Sequence, residues 1–363
     1  MPGVLQVHWT APPVTGGVEV HCAALTDQLR KLGVPVDYLT GTPGAPGTDR
    51  APALELGARP TPDQVDALVE RCAAADLIHW HNPQWHKPDL TRTVRRELAG
   101  RGWSGELVLD LHNLAEEQEH WAMLDELSDH YVVHSDFIAT EVRRRLPAKA
   151  VEVMPLALPG DPEPYELPRH AGTVVLQPTR LTRWKGSHLS LCAAAELLDE
   201  GADFAFVHAG SQHLVWPPGI PEEHLRRAET WTANGRIAFV QYSAAQSWSA
   251  IAAADVIVHP TIDNGAHGEP FSLSVAQAII AGRRIVASRS GHLPALLADY
   301  SACTLVPPGD QDALTGAWRA ALADGPPRLT EQDRTLGARL REAFAATGQR
   351  HLDLYERLLA GQR

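Results

Sequence analysis

Short apolar runs alternate with longer amphipathic ones along nearly the whole chain. Val4–His8 reads as a strand, followed by a Pro/Gly loop from Ala11 to Gly17. Val18–Leu32 reads as a helix, because Ala23, Leu25, Leu29 and Leu32 fall near the helical repeat. The same reasoning predicts strands at Val34–Tyr38, Leu77–Trp80, Leu107–Leu111 and Asp129–His134. Helices are predicted at Asp63–Ala75, Leu90–Leu98 and Asp136–Leu146. Strands that alternate with helices imply βαβ units and a mostly parallel sheet. The pattern then breaks at Leu156–Pro168, whose four prolines and missing apolar period predict an interdomain linker. Beyond it the alternation restarts. Strands are predicted at Gly172–Leu176, Phe204–Ala209, Ile237–Val240, Val256–His259, Arg284–Ala287 and Ala302–Val306. Helices are predicted at Ser187–Leu198, Trp248–Ala254, Phe271–Ala281, Ala313–Ala323 and Leu336–Leu359. The expectation is an α/β protein of two doubly wound halves facing a cleft, with ligands at the carboxyl ends of the strands.

Length and charge narrow the picture. The 363 residues suit about two domains. Subtracting 44 Asp+Glu from 32 Lys+Arg leaves −12, which argues against a general nucleic-acid binder. The basic groups Arg92, Arg95, Arg96 and Arg143–Arg145 read as solvated helix faces, or as a surface for a membrane or an acidic partner. Cys22, Cys72, Cys192 and Cys303 form no CxxC pair, so reduced thiols are expected. The N-terminus MPGVLQVHW lacks a basic n-region, and no apolar stretch reaches the roughly 18 residues of a spanning helix. A cytoplasmic protein with no membrane association is therefore expected; oligomeric state is not readable.

Candidate chemistry sits in the loops that follow strands. Gly16 and Gly17 permit close backbone approach to a ligand ahead of a helix N-terminus, or form a plain turn. Arg180 and Lys185, in PTRLTRWKG, can converge on a diphosphate, or can be a solvated basic loop. Glu269 lies just before a predicted helix whose first amides, at Phe271, Ser272 and Leu273, suit a phosphate. Gln277 lies eight residues on, about two helical turns, so both side chains could face one cleft. Helix capping alone would also explain this pattern. His112 follows the strand LVLDL and is placed for a cleft. His79 and His81 share a strand face, yet no third ligand is spaced for zinc, so no metal and no cofactor are expected.

Taken together, these residues resemble the family 4 glycosyltransferases of the GT-B fold, in family order over nearly the whole chain. The resemblance rests on Thr15–Glu19 (TGGVE), Asp76–His81 (DLIHWH), Leu111–Asn113 (LHN), Arg180 with Lys185-Gly186, and the segment Glu269–Gln277. It implies two Rossmann-like domains. Residues 1–165 would bind the acceptor and 166–345 the nucleotide sugar, and 346–363 would cross back as a helix onto the first domain. It also implies a retaining hexosyltransferase that needs no metal. Arg180 and Lys185 would neutralise the leaving diphosphate, and Glu269 would hold donor-sugar hydroxyls. His112 would contact the sugar near the reacting carbon. Gly16, Gly17 and the backbone of Phe271–Leu273 would add donors. The family's second glutamate is Gln277 here, which still accepts and donates but carries no charge.

His81, Glu116 and Glu117 are the candidate acceptor contacts. With Glu119 and Asp125, the two glutamates make an acidic stretch that would draw a cationic acceptor, or a solvated helix face. The Ala/Arg/Pro-rich, lysine-poor composition resembles that of actinobacterial enzymes that glycosylate antibiotic precursors. That analogy implies an aminocyclitol acceptor such as 2-deoxystreptamine, with UDP-GlcNAc or UDP-glucose as donor. A non-catalytic nucleotide-sugar-binding partner and a GT-B nucleotide-sugar epimerase are the alternatives.

Overall fold

The computed structural model describes residues 3–12, 14, 16–114, 117–160, 165–168, 172–210, 222–242, 244–262 and 268–361. The chain divides into two units. The first comprises residues 1–14, 18–159 and 343–363, and the second residues 15–17 and 160–342. The division falls inside the proline-rich stretch Leu156–Pro168, part of which lies outside the described residues.

Unit 1 is built on seven strands: β1 (Val4–His8), β2 (Val36–Thr40), β3 (Asp49–Arg50), β4 (Leu77–His81), β5 (Glu106–Leu111), β6 (His130–Val133) and β7 (Ala150–Val153). Their order is β3-β2-β1-β4-β5-β6-β7, with every pairing parallel. The helices between them are α1 (Gly17–Lys31), α2 (Pro62–Ala73), α3 (Pro88–Gly100), α4 (Gln118–Leu127) and α5 (Asp136–Arg145). Sequence pattern alone passed over β3, β7 and α4. β3 is only two residues long, and both are exposed, so it carries no apolar signal.

Alternation along these strands makes two different faces. Leu5, Val7, Ile78, Trp80, Leu107, Leu109, Leu111, Tyr131 and Val133 point into one apolar core. On the opposite face Val4, Leu77, Val108 and Val132 join Leu25 and Leu29 of α1 in a second core. Toward the carboxyl ends of the strands this second face turns polar: Gln6, His79, His81 and Asp110 are all fully buried.

Unit 2 carries six strands: β8 (Thr173–Gln177), β9 (Phe204–Ala209), β10 (Ile237–Val240), β11 (Val256–His259), β12 (Arg284–Ser288) and β13 (Cys303–Val306). Their order is β10-β9-β8-β11-β12-β13, again with parallel pairing throughout. The helices are α6 (Ser187–Asp199), α7 (Glu222–Ala233), α8 (Ala244–Ala253), α9 (Leu273–Ile280), the short α10 (Leu293–Leu296), α11 (Gln311–Ala323) and α12 (Glu331–Ala345). The predicted single helix Leu336–Leu359 is two helices. α12 ends at Ala345, and α13 (Thr347–Ala360) places Leu352, Leu354 and Tyr355 in the second core of unit 1. Cys22, Cys72, Cys192 and Cys303 are free thiols.

In both sheets the strand order reverses direction next to the first strand of the unit, between β1 and β4 and between β8 and β11. A doubly wound sheet opens a crevice at the carboxyl ends of two such strands, because their helices leave toward opposite faces. The loops after β1 and β4, and after β8 and β11, are therefore where chemistry is built.

Candidate active site

The switch point of unit 2 holds a closed polar centre. Lys185 Nζ, on the loop after β8, donates to Glu269 Oε2 at 2.6 Å. Thr261 Oγ1, just past β11, donates to the same oxygen at 3.0 Å. His259 bridges onward: its Nδ1 lies 3.0 Å from Thr261 Oγ1 and its Nε2 lies 3.0 Å from Ser272 Oγ. Backbone bonds hold the glutamate on both sides, from Glu269 N to Ser290 Oγ at 3.0 Å and from His292 N to Glu269 O at 2.8 Å.

Two glycines let these loops meet. Gly186 has φ +69°, and a side-chain carbon there would stand 2.0 Å from the Pro260 carbonyl oxygen. Gly291 has φ +52°, and a carbon there would stand 2.2 Å from the Glu269 carbonyl oxygen. Trp184 lies under the Lys185 ammonium at 3.8 Å from its ring centroid.

Burial works to raise the Glu269 pKa. The nearby Lys185 and His259, with hydrogen bonds from Lys185 and Thr261, outweigh it and hold the carboxyl below its ordinary value. Burial lowers the Lys185 pKa; Glu269 restores part of the loss, and Arg180 repels. Arg180 is thus close enough to act on the ammonium, while its own side chain is exposed. The centre is an ionised pair with a second cation at its rim, a fit for an anion that brings hydroxyls with it.

α9 begins later than its sequence suggested, at Leu273 rather than Phe271. Ser272 is its N-cap, and its Oγ accepts the Val275 N–H at 3.2 Å. Phe271 therefore lies outside the helix and stacks on His292, with ring centroids 5.6 Å apart. Glu269 is likewise outside the helix, so two helical turns do not separate it from Gln277. Gln277 lies within α9, almost fully buried, and its Nε2 has no hydrogen-bond partner among the described residues.

The switch point of unit 1 is different in kind. Gly16 is a bend and Gly17 opens α1. His112 follows β5, and its N–H is held by Asn82 Oδ1 at 2.9 Å. Asn82 adopts φ +48°, which asparagine tolerates better than most residues, and its own N–H is bonded to the Asp110 carbonyl at 2.8 Å. His81, expected at an acceptor surface, is fully enclosed: its Nε2 meets Gln6 Oε1 at 3.2 Å and its Nδ1 meets His112 Nε2 at 3.2 Å. Local sequence pattern could not show this, because His21 of α1 packs on the ring from a distant part of the chain, with centroids 5.7 Å apart.

The missing third metal-ligating group is also present. Asp110, two residues before His112, packs against His79, His81, His112 and His134. Burial lowers the pKa of His21 to about 4, and those of His81, His112 and His351 well below the usual range, so these rings are neutral. Sequence reading missed Asp110, His21, His134 and His351. The available signal was a set of polar residues at inward positions of otherwise apolar strands: LVLDL, LIHWH and YVVH. Glu117 is exposed at the N-cap of α4, and Glu116 lies outside the described residues.

Residues 15–159 match the family Glycosyltransferase Family 4, and residues 172–324 match Glycosyl transferases group 1. The chain is a family 4-type glycosyltransferase. Its two units are the two halves of the GT-B architecture, as solved structures also indicate. A sucrose-phosphate synthase from Thermosynechococcus elongatus superposes with TM-score 0.70 at 21% identity, covering 99% of this chain and 100% of that one. Anabaena HepE, solved with UDP and glucose, gives 0.65 at 16% identity, covering 98% and 100%. AviGT4, a glycosyltransferase involved in avilamycin A biosynthesis, gives 0.62 at 17% identity, covering 99% of each chain. No curated protein matches the glycosyltransferase by sequence. No helix of its described residues is long and apolar enough to cross a membrane.

Proposed function

We propose that this glycosyltransferase moves a hexose, with retention, from a nucleotide-diphosphate sugar to a hydroxyl of a small polar acceptor. The observation that carries the proposal is the Lys185–Glu269 pair at the switch point of unit 2, with Arg180 beside it and the α9 N-terminus after it. Lys185 has three N–H donors and gives one to Glu269, which leaves others for a diphosphate oxygen. Arg180 supplies the second cation. As the bond from the sugar C1 to phosphate oxygen breaks, charge grows on the leaving diphosphate, and both cations stabilise it there. The acceptor oxygen bonds to C1 on the same face, and its proton passes to the leaving phosphate. Glu269 holds sugar hydroxyls, and His112 carries the same role near the reacting carbon by family resemblance. The chemistry needs no metal, because Lys185, Arg180 and helix amides take its place. Gly16, Gly17 and the backbone at Phe271–Leu273 are the further donors in this proposal.

Gln277 is the proposed ribose contact. Its buried, unpartnered Nε2 is a donor in want of an acceptor, and a ribose hydroxyl supplies one. UDP-GlcNAc or UDP-glucose is the proposed donor; the UDP and glucose in Anabaena HepE support the uridine choice. An aminocyclitol such as 2-deoxystreptamine is the proposed acceptor, with Glu117 in the acidic stretch that draws it. The natural-product role of AviGT4 supports that class. The protein is proposed to act in the cytoplasm.

Thermal shift with UDP-, GDP- and ADP-sugars, followed by mass spectrometry of nucleotide release with and without 2-deoxystreptamine, tests the reading. A stabilising donor with acceptor-dependent release and a heavier product is expected. The neutral Gln277 favours a second reading, a non-catalytic nucleotide-sugar binder, which predicts stabilisation without release from any acceptor. Product without acceptor points instead to an epimerase. No stabilisation by any nucleotide sugar overturns the site.

A further inference from the structure

The carboxylate of Asp110 is fully buried, and four ring nitrogens approach it: His134 Nε2 at 2.8 Å, His81 Nδ1 at 3.2 Å, His79 Nε2 at 3.3 Å and His112 Nε2 at 3.4 Å. Such distances usually mean hydrogen bonds, yet neither oxygen of Asp110 has a hydrogen-bond partner among the described residues. His134 Nε2 and His79 Nε2 have none either. A buried carboxylate left this way costs several kcal/mol, on the order of a lost charged hydrogen bond or more.

Partners of the rings decide where protons sit. The Met154 carbonyl can only accept, so His134 Nδ1, 3.0 Å away, carries the ring proton. In the neutral ring His134 Nε2 then presents a lone pair 2.8 Å from a carboxylate oxygen, a contact that needs a cation, proton or metal ion, between the two atoms. With Gln6 Oε1 accepting from His81 Nε2, the lone pair of His81 is on Nδ1, facing Asp110 and His112. His21 is the opposite case. The Ala157 N–H donates to its Nδ1 at 2.8 Å, so its proton is on Nε2, 3.7 Å from Asp110 Oδ2.

We propose that unit 1 binds a divalent transition metal, best fitted by zinc, through Asp110, His112 Nε2, His134 Nε2 and His81 Nδ1. Four ligands at the usual zinc distances stand about 3.3 Å apart along the edges of a tetrahedron. Separations of 2.8 Å (His134 to Asp110 Oδ1), 3.4 Å (His112 to Asp110 Oδ1), 3.2 Å (His81 to Asp110 Oδ2) and 3.2 Å (His81 to His112) lie near that edge length. Asp110, His112 and His134 belong to one group of ligand atoms within 4.8 Å of one another, with His21; His81 groups with His79 and Asp110 and joins the site from the Oδ2 side of the carboxylate. Three imidazoles and one carboxylate suit zinc better than magnesium or calcium, which take oxygen. His21 and His79 lie beside Asp110 Oδ2, where they orient the carboxylate as an outer shell does. The shell is closed and buried, so the ion is structural: it ties β4, β5 and the end of β6 together and fixes the ring of His112. The ion takes no step in the proposed sugar transfer; by holding His112 Nε2 it leaves the Nδ1 side of that ring for the sugar contact proposed above.

The test uses untagged full-length protein purified without chelator. Elemental analysis is expected to find about one zinc per chain. Chelator-stripped protein is expected to gain melting temperature on adding Zn²⁺, because the ion binds only the folded shell. Asp110→Asn and His134→Gln are each expected to cut bound zinc at least about tenfold. Either variant could fail to fold, so Co²⁺ loaded into the wild-type protein gives an independent readout. Visible bands of tetrahedral cobalt that Zn²⁺ abolishes support the site. Substoichiometric metal with no thermal shift from Zn²⁺, Co²⁺ or Ni²⁺ overturns it. So does zinc that persists undiminished in folded Asp110→Asn and His134→Gln, since that ion would be on the surface.

Discussion

The two switch points are built alike and filled differently. In unit 2 a buried carboxylate, Glu269, receives hydrogen bonds from Lys185 and Thr261 and is braced by Ser290. In unit 1 a buried carboxylate, Asp110, is ringed by histidines and receives none among the described residues. The same topology therefore supports two opposite solutions for a buried charge. One is internally satisfied and needs a ligand only for its spare donors. The other is incomplete until something joins it.

The sharpest way to break this comparison is Lys185→Ala. It strands Glu269, whose side chain is only 4% exposed, without its counter-charge. A loss of about 3–5 kcal/mol in stability is expected, together with loss of turnover. Urea unfolding and nucleotide release measure the two. The paired change Lys185→Met with Glu269→Leu should recover most of the stability and none of the turnover. If Lys185→Ala unfolds at the wild-type urea concentration, the ion pair is not what holds this centre.

Arg180→Ala comes next, and it separates catalysis from folding. Arg180 is exposed, so its removal should cost far less stability than Lys185→Ala while slowing turnover roughly 100- to 1000-fold. Wild-type kcat/KM in this variant removes Arg180 from the leaving-group site.

A pH titration sharpens the satisfied side. Burial lowers the pKa of His259 to about 4 and that of His208 to about 3. Unfolded histidine protonates near 6.5, so below that pH the unfolded chain binds more protons and stability falls as pH drops. Each ring should withdraw about 1.4 kcal/mol per pH unit below roughly 6.5, until the pH nears its folded pKa. Melting temperatures between pH 7 and 5 measure this, and His208→Gln should flatten the slope. A slope that the substitution leaves unaltered would falsify the assignment to His208.

The smallest effect is expected at Gln277. Gln277→Glu should change nucleotide affinity by about 1 kcal/mol, the scale of one hydrogen bond. Calorimetry with UDP against 2′- and 3′-deoxy-UDP locates the contact. Equal affinities for ribose and deoxyribose forms would remove Gln277 from the ribose.

Much of the architecture was legible in advance, because period-2 and period-3.6 patterns are local. β1, β9, β10 and β11 stand where the pattern put them. What escaped was short or polar. β3 is two exposed residues, α4 carries the acidic residues Glu119, Asp125 and Glu126, and the start of α9 was displaced by the capping hydroxyl of Ser272. Arg180, Lys185 and Glu269 could be picked out as candidates because charged residues flanking apolar strands stand out. Their partners Thr261, Ser290 and His259 were not, since each is an ordinary loop or strand-end residue until the loops meet at Gly186 and Gly291.

The sequence by itself determined the two parallel α/β halves, their switch-point loops and the family to which they belong. Those features rest on hydrophobic periodicity and on motifs contained within single loops. Only the tertiary structure decided that His79 and His81 have a third and a fourth neighbour, and that His81 faces inward. The residues concerned sit on β4 and β5, just past the ends of β5 and β6, and on two helices, up to 330 positions apart between His21 and His351. No local pattern can register them. They become one cluster because parallel strands stack residues of the same face, and because α1 and α13 close over that face.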